Sequence, residues 1–242
     1  MVILHSPLSH LRSYMDSTKK LLEESKRNVK AFRKGLISRT DPAQVSLIAK
    51  IPYKALQIRE ALLYRATDLA DASCMLLGAN NFVAAACTTR AFQETFAALF
   101  YVNREVKKAI KDGDLAHLDE SLMKSLMGSK NNPDMPDPVN VLKMVDHVDK
   151  EVPGFRSVYD ILCELSHPNW AGTLGIYTKI NKEKLWVDFG QNIRLKDSTQ
   201  SQIIFTLHAC LDLVAHIYDE FAELLPKLIK ECEKAIESKG GT

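Results

Sequence analysis

The sequence predicts an all-α fold, an antiparallel bundle of long helices with one small β-hairpin inserted near residues 174–190. Apolar residues recur at helical spacing along most of the 242 residues,. Strand-like alternation occurs in LGIYTKI and LWVDFG, on either side of the turn Asn181-Lys182-Glu183-Lys184,. An isolated hairpin is barely stable in water, so we expect this one to pack on the helices.

Composition gives ordinary globular values, with 46% apolar and 26% charged residues,. The 32 basic and 30 acidic residues nearly cancel, so bulk charge favours neither nucleic acid nor membrane as a partner,. The segment MVILHSPLSH lacks the features of a signal peptide, and no apolar run approaches the length of a membrane span,. We therefore expect a cytoplasmic protein.

The cysteines support that expectation. None belongs to a C-x-x-C pair, and each lies in a predicted helix among apolar neighbours. We interpret them as small buried hydrophobes in a reducing compartment, and not as disulfides or zinc ligands. They are Cys74, Cys87, Cys163, Cys210 and Cys232.

The first helix begins at Ser6-Pro7, a serine cap followed by proline, and Gly35 ends it,. Its second half is basic, which indicates a solvated face near a helix C-terminus or, as the alternative, a phosphate contact. A short helix follows Asp41-Pro42 and is interrupted by Pro52. We expect residues 1–52 to form a helical extension, residues 53–238 the bundle and residues 239–242 a disordered tail.

Two long helices, Tyr53 to Leu77 and Phe82 to Lys111, are joined by the tight connector Gly78-Ala79-Asn80-Asn81,. Folding the chain back at this connector places Arg90 level with Asp68, within ion-pair reach of Asp68 or Asp71. It also places Glu94 level with Tyr64 or Arg65. The face that carries Arg90 and Glu94 is otherwise apolar, so we expect both side chains to be paired across the two helices.

Four more helices are predicted beyond this hairpin of helices. They span Asp114–Met127, Asp137–Lys150, Pro153–His167 and Asp197–Ser238, and the proline-rich loop SKNNPDMPDP separates the first two,. The last helix starts with a capping box and carries a long apolar seam. The seam consists of Ile203, Leu207, Leu211, Val214, Tyr218, Phe221, Leu225, Leu228 and Cys232.

The pattern changes at His167-Pro168, where a helix stops and the chain passes Asn169 and Trp170. His167 lies at a helix C-terminus, whose dipole favours imidazolium, so it is the leading candidate for proton transfer. The alternative is a histidine that only caps the helix. Cys163 lies one turn earlier and could pair with His167, although its apolar flanks favour a place in the core.

A second set of polar residues recurs every four positions along the last helix. Two imidazoles and two carboxylates on one side would suit a metal ion, but strict spacing by four drifts around a helix. A polar edge of the bundle is the favoured interpretation, and we expect no metal and no cofactor. The residues are His208, Asp212, His216 and Glu220.

Two segments, TTRAFQETFAALFYV and YDILCELSHPN, resemble the HEPN-like superfamily of helical domains, and the resemblance extends from about Tyr53 to Ile229. Many catalytic members are metal-independent ribonucleases in which four to six residues separate an arginine from a following histidine, usually in a site shared across a dimer. Here Asp160, Ile161 and Leu162 occupy those positions, and the nearest upstream arginine is Arg156.

The resemblance therefore leads to two hypotheses. The favoured one is a non-catalytic module that binds RNA, a nucleotide or a partner protein, in a defence or toxin–antitoxin system. The alternative is a metal-independent ribonuclease in which His167 transfers protons and Arg90 stabilises the phosphorane charge. Glu94, Tyr159 and Asn169 would position them. The length of the last seam and the family both predict a homodimer, and no membrane partner is expected.

Overall fold

The computed structural model describes the backbone of residues 7–240 and the side chains of residues 17–238. Helix accounts for 74% of the protein, and the strands form a single two-stranded antiparallel hairpin within the described residues. The predicted all-α fold with one small hairpin is therefore confirmed.

The helices follow one another with short connections. In chain order they are α1 (Pro7–Gly35), α2 (Pro42–Val45), α3 (Ile51–Gly78), α4 (Phe82–Asp112), α5 (Leu115–Met127), α6 (Val141–Glu151), α7 (Phe155–Ser166), α8 (Leu174–Tyr177) and α9 (Asp197–Gly240). The strands β1 (Thr178–Asn181) and β2 (Trp186–Phe189) lie between α8 and α9.

Helix starts follow the capping pattern of the sequence. Asp41 accepts a hydrogen bond from the Ala43 amide at 3.0 Å, and Asp114 accepts one from the His117 amide at 3.0 Å,. The cap of α6 is Asn140, whose Oδ1 accepts from Leu142 N at 2.9 Å, and not the predicted Asp137. The predicted cap at Ser6 lies outside the described residues.

Two further boundaries differ from the prediction. Leu174–Tyr177 forms the short helix α8 instead of the start of a strand, because the chain closes a turn here through bonds from Ile176 N and Tyr177 N to the Thr173 carbonyl. Helix α9 ends at Gly240, two residues into the predicted tail. Residues 241–242 lie outside the described part.

The chain divides into two compact units that both draw on non-contiguous segments. The first unit takes the chain up to Ala31, Asp68–Phe92 and Ser157–Leu211. The second unit takes Phe32–Thr67, Gln93–Arg156 and the chain from Asp212 onward. The predicted boundary after residue 52 stays a prediction.

The core of the second unit is formed by apolar side chains from α3, α4, α5 and α9. Phe221 in this core is fully buried, and elsewhere in the unit Phe96 packs on Phe155 of α7 with ring centroids 5.7 Å apart. Its buried cluster comprises Ala49, Ala55, Ile58, Val102, Val106, Ala109, Leu118, Leu122, Phe221, Leu228 and Cys232.

In the first unit, hydroxyl groups join helices at buried positions. Thr18 on α1 bonds to Ser201 on α9 at 3.2 Å, and Ser73 on α3 donates to Thr88 on α4 at 2.8 Å. Such bonds satisfy polar groups that burial would otherwise penalise. The α9 side chains Ile203 and Leu207 are fully buried in this unit.

The predicted seam of α9 lies inside the protein. Seven of its nine side chains are buried, and Tyr218 and Leu225 are half-buried. The seam is therefore used by the chain itself, which removes one of the two reasons for expecting a homodimer. Helix α9 is also long and apolar enough to cross a membrane. Buried core helices of soluble proteins meet the same criteria, and half of the most apolar stretch of α9 is buried.

The cysteines only partly follow the prediction. Cys74, Cys210 and Cys232 are buried, and Cys163 is half-buried. Cys87 is exposed, because its position on α4 faces outward although its sequence neighbours are apolar. All five thiols are free.

Candidate functional site

Helix α7 ends at Ser166, one residue before the predicted end at His167, because Pro168 has no amide hydrogen and restricts the residue before it,. The Ser166 hydroxyl donates to the Leu162 carbonyl at 2.6 Å, and the His167 amide donates to the Cys163 carbonyl at 3.0 Å. The last turn of the helix is thus closed, and the His167 side chain lies at the exposed end.

The loop after Pro168 is held by Asn169. Its Oδ1 accepts from Gly172 N at 3.1 Å, and its Nδ2 donates to the Glu164 carboxylate at 2.7 Å. The Thr173 hydroxyl donates to the Asn169 carbonyl. A Cβ at Gly172 would overlap the His167 carbonyl oxygen, so only glycine fits. These bonds give Asn169 a structural role in the turn.

Trp170 lies on the outside of this loop with 63% of its surface exposed. Its ring packs over Gly175, where a Cβ would lie 3.3 Å from the ring. The guanidinium carbon of Arg194 is 5.6 Å from the ring centroid. Arg194 is fixed in turn because its amide donates to the Ile176 carbonyl at 3.1 Å. The tryptophan is therefore held in place and still open to solvent.

The β-hairpin presents apolar side chains on both faces. The register pairs Thr178 with Phe189 and Ile180 with Val187, so these four side chains share one face,. Trp186 lies on the other face, and the Lys184 ammonium is 4.6 Å from its ring centroid. All four residues of β2 are exposed.

This exposure corrects one expectation. The hairpin was predicted to pack on the helices, but β2 is open to solvent, with Phe189 77% exposed. We call the exposed apolar residues of the hairpin and its neighbouring loops, taken together, the hairpin surface. It comprises Trp170, Leu174, Tyr177, Ile180, Leu185, Trp186, Val187, Phe189 and Ile193.

The five residues predicted to be catalytic occupy different environments. His167 is exposed, Asn169 and Arg90 are half-buried, and Tyr159 is 4% exposed and thus has little access to a substrate. Glu94 is half-buried and belongs to the second unit, whereas the other four belong to the first. Their catalytic roles, and the predicted pairing of Arg90 and Glu94 across helices, stay predictions.

The residues spaced by four on α9 have structural surroundings. His208 Nδ1 is 3.2 Å from the Ser25 hydroxyl, and Glu220 bonds to Lys107 at 2.6 Å and to Asn103. Asp212 and His216 are exposed. Among the side chains that the structure describes, no group of three or more histidine, cysteine or carboxylate residues is arranged to hold a metal ion.

The sequence did not predict a buried polar cluster in the second unit. Arg59 and Glu60 are adjacent on α3, each with 9% of its side chain exposed, and Arg59 Nε donates to Glu60 at 2.7 Å. The Tyr218 hydroxyl donates to Glu60 at 3.2 Å, and the Arg59 guanidinium lies over the rings of Tyr218 and Phe221 at 4.2 and 5.0 Å. Burial raises the pKa of Tyr218, so its hydroxyl keeps its proton,.

This cluster stabilises the fold. Every charge in it has an opposite charge or a ring against it, which is the condition for burying ions at acceptable cost. A pair of neighbouring residues on a helix gives little signal in a sequence, because residues i and i+1 normally do not face each other.

A scan against models of protein families, a search of curated proteins and a search of solved structures found no match to this chain. The resemblance to HEPN-like domains therefore stays a prediction.

Proposed function

We propose that the chain is a non-catalytic binding module of the HEPN-like kind, and that it binds a partner protein on the hairpin surface. The exposure of β2 carries this proposal, because apolar residues cover both faces of a strand that is open to solvent. Contiguous exposed apolar patches on soluble proteins mark interaction sites. A place in a defence or toxin–antitoxin system stays a prediction.

The chemistry of the surface favours a protein over RNA as the partner. Four aromatic side chains and the nearby Arg194 and Lys184 would suit single-stranded RNA, whose bases stack on such groups,. The surface also exposes five branched aliphatic side chains, which base stacking does not use. Aromatic side chains together with aliphatic ones are typical of the buried centre of protein interfaces.

A site-specific cross-link tests this proposal in cells that express the protein. A photo-crosslinking phenylalanine analogue replaces Phe189, and the matched control replaces Leu47, which is 86% exposed in the second unit. We expect irradiation to give a discrete adduct from position 189 that protease removes and ribonuclease does not. An adduct that ribonuclease removes would assign the surface to RNA, and no adduct at position 189 would contradict the proposal.

The second candidate function is the metal-independent ribonuclease. The exposure of His167 at the end of α7 favours it, because a substrate can reach the imidazole. We expect the purified protein to leave RNA intact in EDTA. Cutting that falls roughly a hundredfold or more in His167→Ala, the usual contribution of a general acid–base group, would reverse the order of the two candidates.

A further inference from the structure

We infer that the partner on the hairpin surface is a second copy of this chain, which adds its own β2 strand to the outer edge of β2. The inference rests on the proposed function and names the partner at the same site. Its basis is the hydrogen-bonding edge of β2, a feature separate from the exposed faces described above.

The hydrogen bonds between β1 and β2 determine which backbone groups of β2 are left free. The Gly190 amide donates to the Tyr177 carbonyl at 3.0 Å, so this pair is hydrogen-bonded, as are Lys179–Asp188 and Asn181–Trp186 by alternation,. The amides and carbonyls of Val187 and Phe189 therefore point away from β1. Within the described residues the sheet has two strands, so no strand covers this edge.

Natural proteins protect exposed edges with lysine, proline, bulges or inward charges. Strand β1 carries Lys179, and Lys182 follows it directly. Strand β2 reads Trp-Val-Asp-Phe, with Asp188 as its one charged residue and without lysine or proline. An edge left open in this way is ready to pair with another strand.

A two-fold axis at Val187 gives a self-complementary register. Val187 then faces Val187 of the second copy as a hydrogen-bonded pair, in agreement with the outward direction of its backbone groups. Asp188 falls opposite Trp186 of the second copy, so no like charges meet. An axis at Asp188 would use the same outward backbone groups, through pairs of Val187 with Phe189, but it would bring two carboxylates together,.

Cysteine placed on the axis tests the register. In a Cys87→Ser background, which removes the exposed native thiol, Val187→Cys brings two thiols onto facing residues. Facing residues of a hydrogen-bonded pair are about 5.5 Å apart between Cα atoms, within the range that a disulfide spans. We expect mild oxidation to give a covalent dimer of twice 27.2 kDa. The matched control Ile180→Cys lies on the same face at the opposite edge and should stay monomeric on denaturing gels.

Charge at the same position gives an independent measurement on the unoxidised protein. We expect wild type to sediment as a dimer in the micromolar range, and Val187→Lys to raise its dissociation constant by at least about tenfold because two lysines would face each other. Ile180→Lys should leave the dimer unchanged. A wild type that stays at 27.2 kDa, or equal cross-linking by both cysteine variants, would overturn the inference. Capture of a different protein from position 189 would then leave the proposed function standing.

Discussion

The Arg59 cluster buries charged groups, whereas the hairpin surface exposes apolar groups to water. In the second unit, charged groups are buried and each has a partner, so the interior tolerates them. In the first unit, Phe189, Trp170 and Leu185 are mostly exposed although water is a poor environment for them,. Buried polar groups that join helices contribute to the stability of the fold. The protein gains nothing for its own stability from the exposed apolar groups, and for this reason we propose that they bind a partner.

Two phenylalanines make this difference measurable. Phe221 is fully buried under the Arg59 guanidinium, whereas Phe189 is 77% exposed. We expect Phe221→Ala to lower the free energy of unfolding by about 3–5 kcal/mol, since it opens a cavity. Phe189→Ala should change it by less than about 0.5 kcal/mol. Urea denaturation of dilute protein gives both values, and a large loss in Phe189→Ala would place the hairpin in the fold's own core.

Removal of the buried Arg59 guanidinium should lower the free energy of unfolding by nearly the same amount. We expect Arg59→Ala to cost roughly 3–5 kcal/mol, because Glu60 is left as a buried charge without its cation,. The matched control is Lys124→Ala, which breaks the exposed pair with Glu120 and should leave the unfolding midpoint nearly unchanged,. Equal midpoints for both variants in thermal unfolding would show that Arg59 is solvated.

Substitution of Gly172, in the loop that precedes the hairpin, should lower the stability by a smaller amount. A Cβ there overlaps the His167 carbonyl, so we expect Gly172→Ala to cost about 1–3 kcal/mol,. Gly35→Ala is the control, since nothing lies within 4 Å of its Cβ position. Circular dichroism melts compare the two. If the two melts coincide, the loop relaxes without cost and does not fix Trp170.

Thiol labelling gives the smallest perturbation, because it changes no residue. Burial raises the pKa of Cys74 and Cys210 from 9.0 to about 12, so in the folded protein these thiols stay protonated while the pH rises from 7 to 10,. We expect iodoacetamide to label the exposed Cys87 and to leave Cys74 and Cys210 unlabelled.

The same raised pKa values determine whether the stability of the protein rises or falls with pH. The unfolded thiols lose protons from about pH 9 and the folded ones from about pH 12, so the stability that these thiols contribute is lost across that window,. Peptide mass spectrometry identifies the labelled residues. Labelling of Cys210 at pH 8 at the rate of Cys87 would contradict its burial.

The sequence predicted the features that depend on spacing and on local chain chemistry. The α9 seam, the end of α7 before Pro168 and the cap at Asp41 all follow from patterns within a few residues. The existence of the hairpin followed in the same way.

What the sequence did not predict depends on contacts between distant segments. The contacts of Arg59 with Tyr218 bring together residues far apart in the chain. The spacing of apolar residues along the sequence does not predict such contacts. The exposure of β2 was missed because alternation identifies a strand without showing what covers it. One signal was present in Trp186-Val187-Asp188-Phe189, where apolar residues fall on both faces. A strand covered on one side would show them on one face.

Hydrogen exchange at the β2 edge tests the central claim most directly, because it reads the backbone groups that the second copy would bind. The amides of Val187 and Phe189 point away from β1, whereas the Asp188 amide points toward Lys179. Our account predicts that exchange at Val187 and Phe189 slows as the wild-type concentration rises through the micromolar range, and that Val187→Lys abolishes this slowing at Phe189. Fast exchange at both amides, unchanged at every concentration, would contradict it.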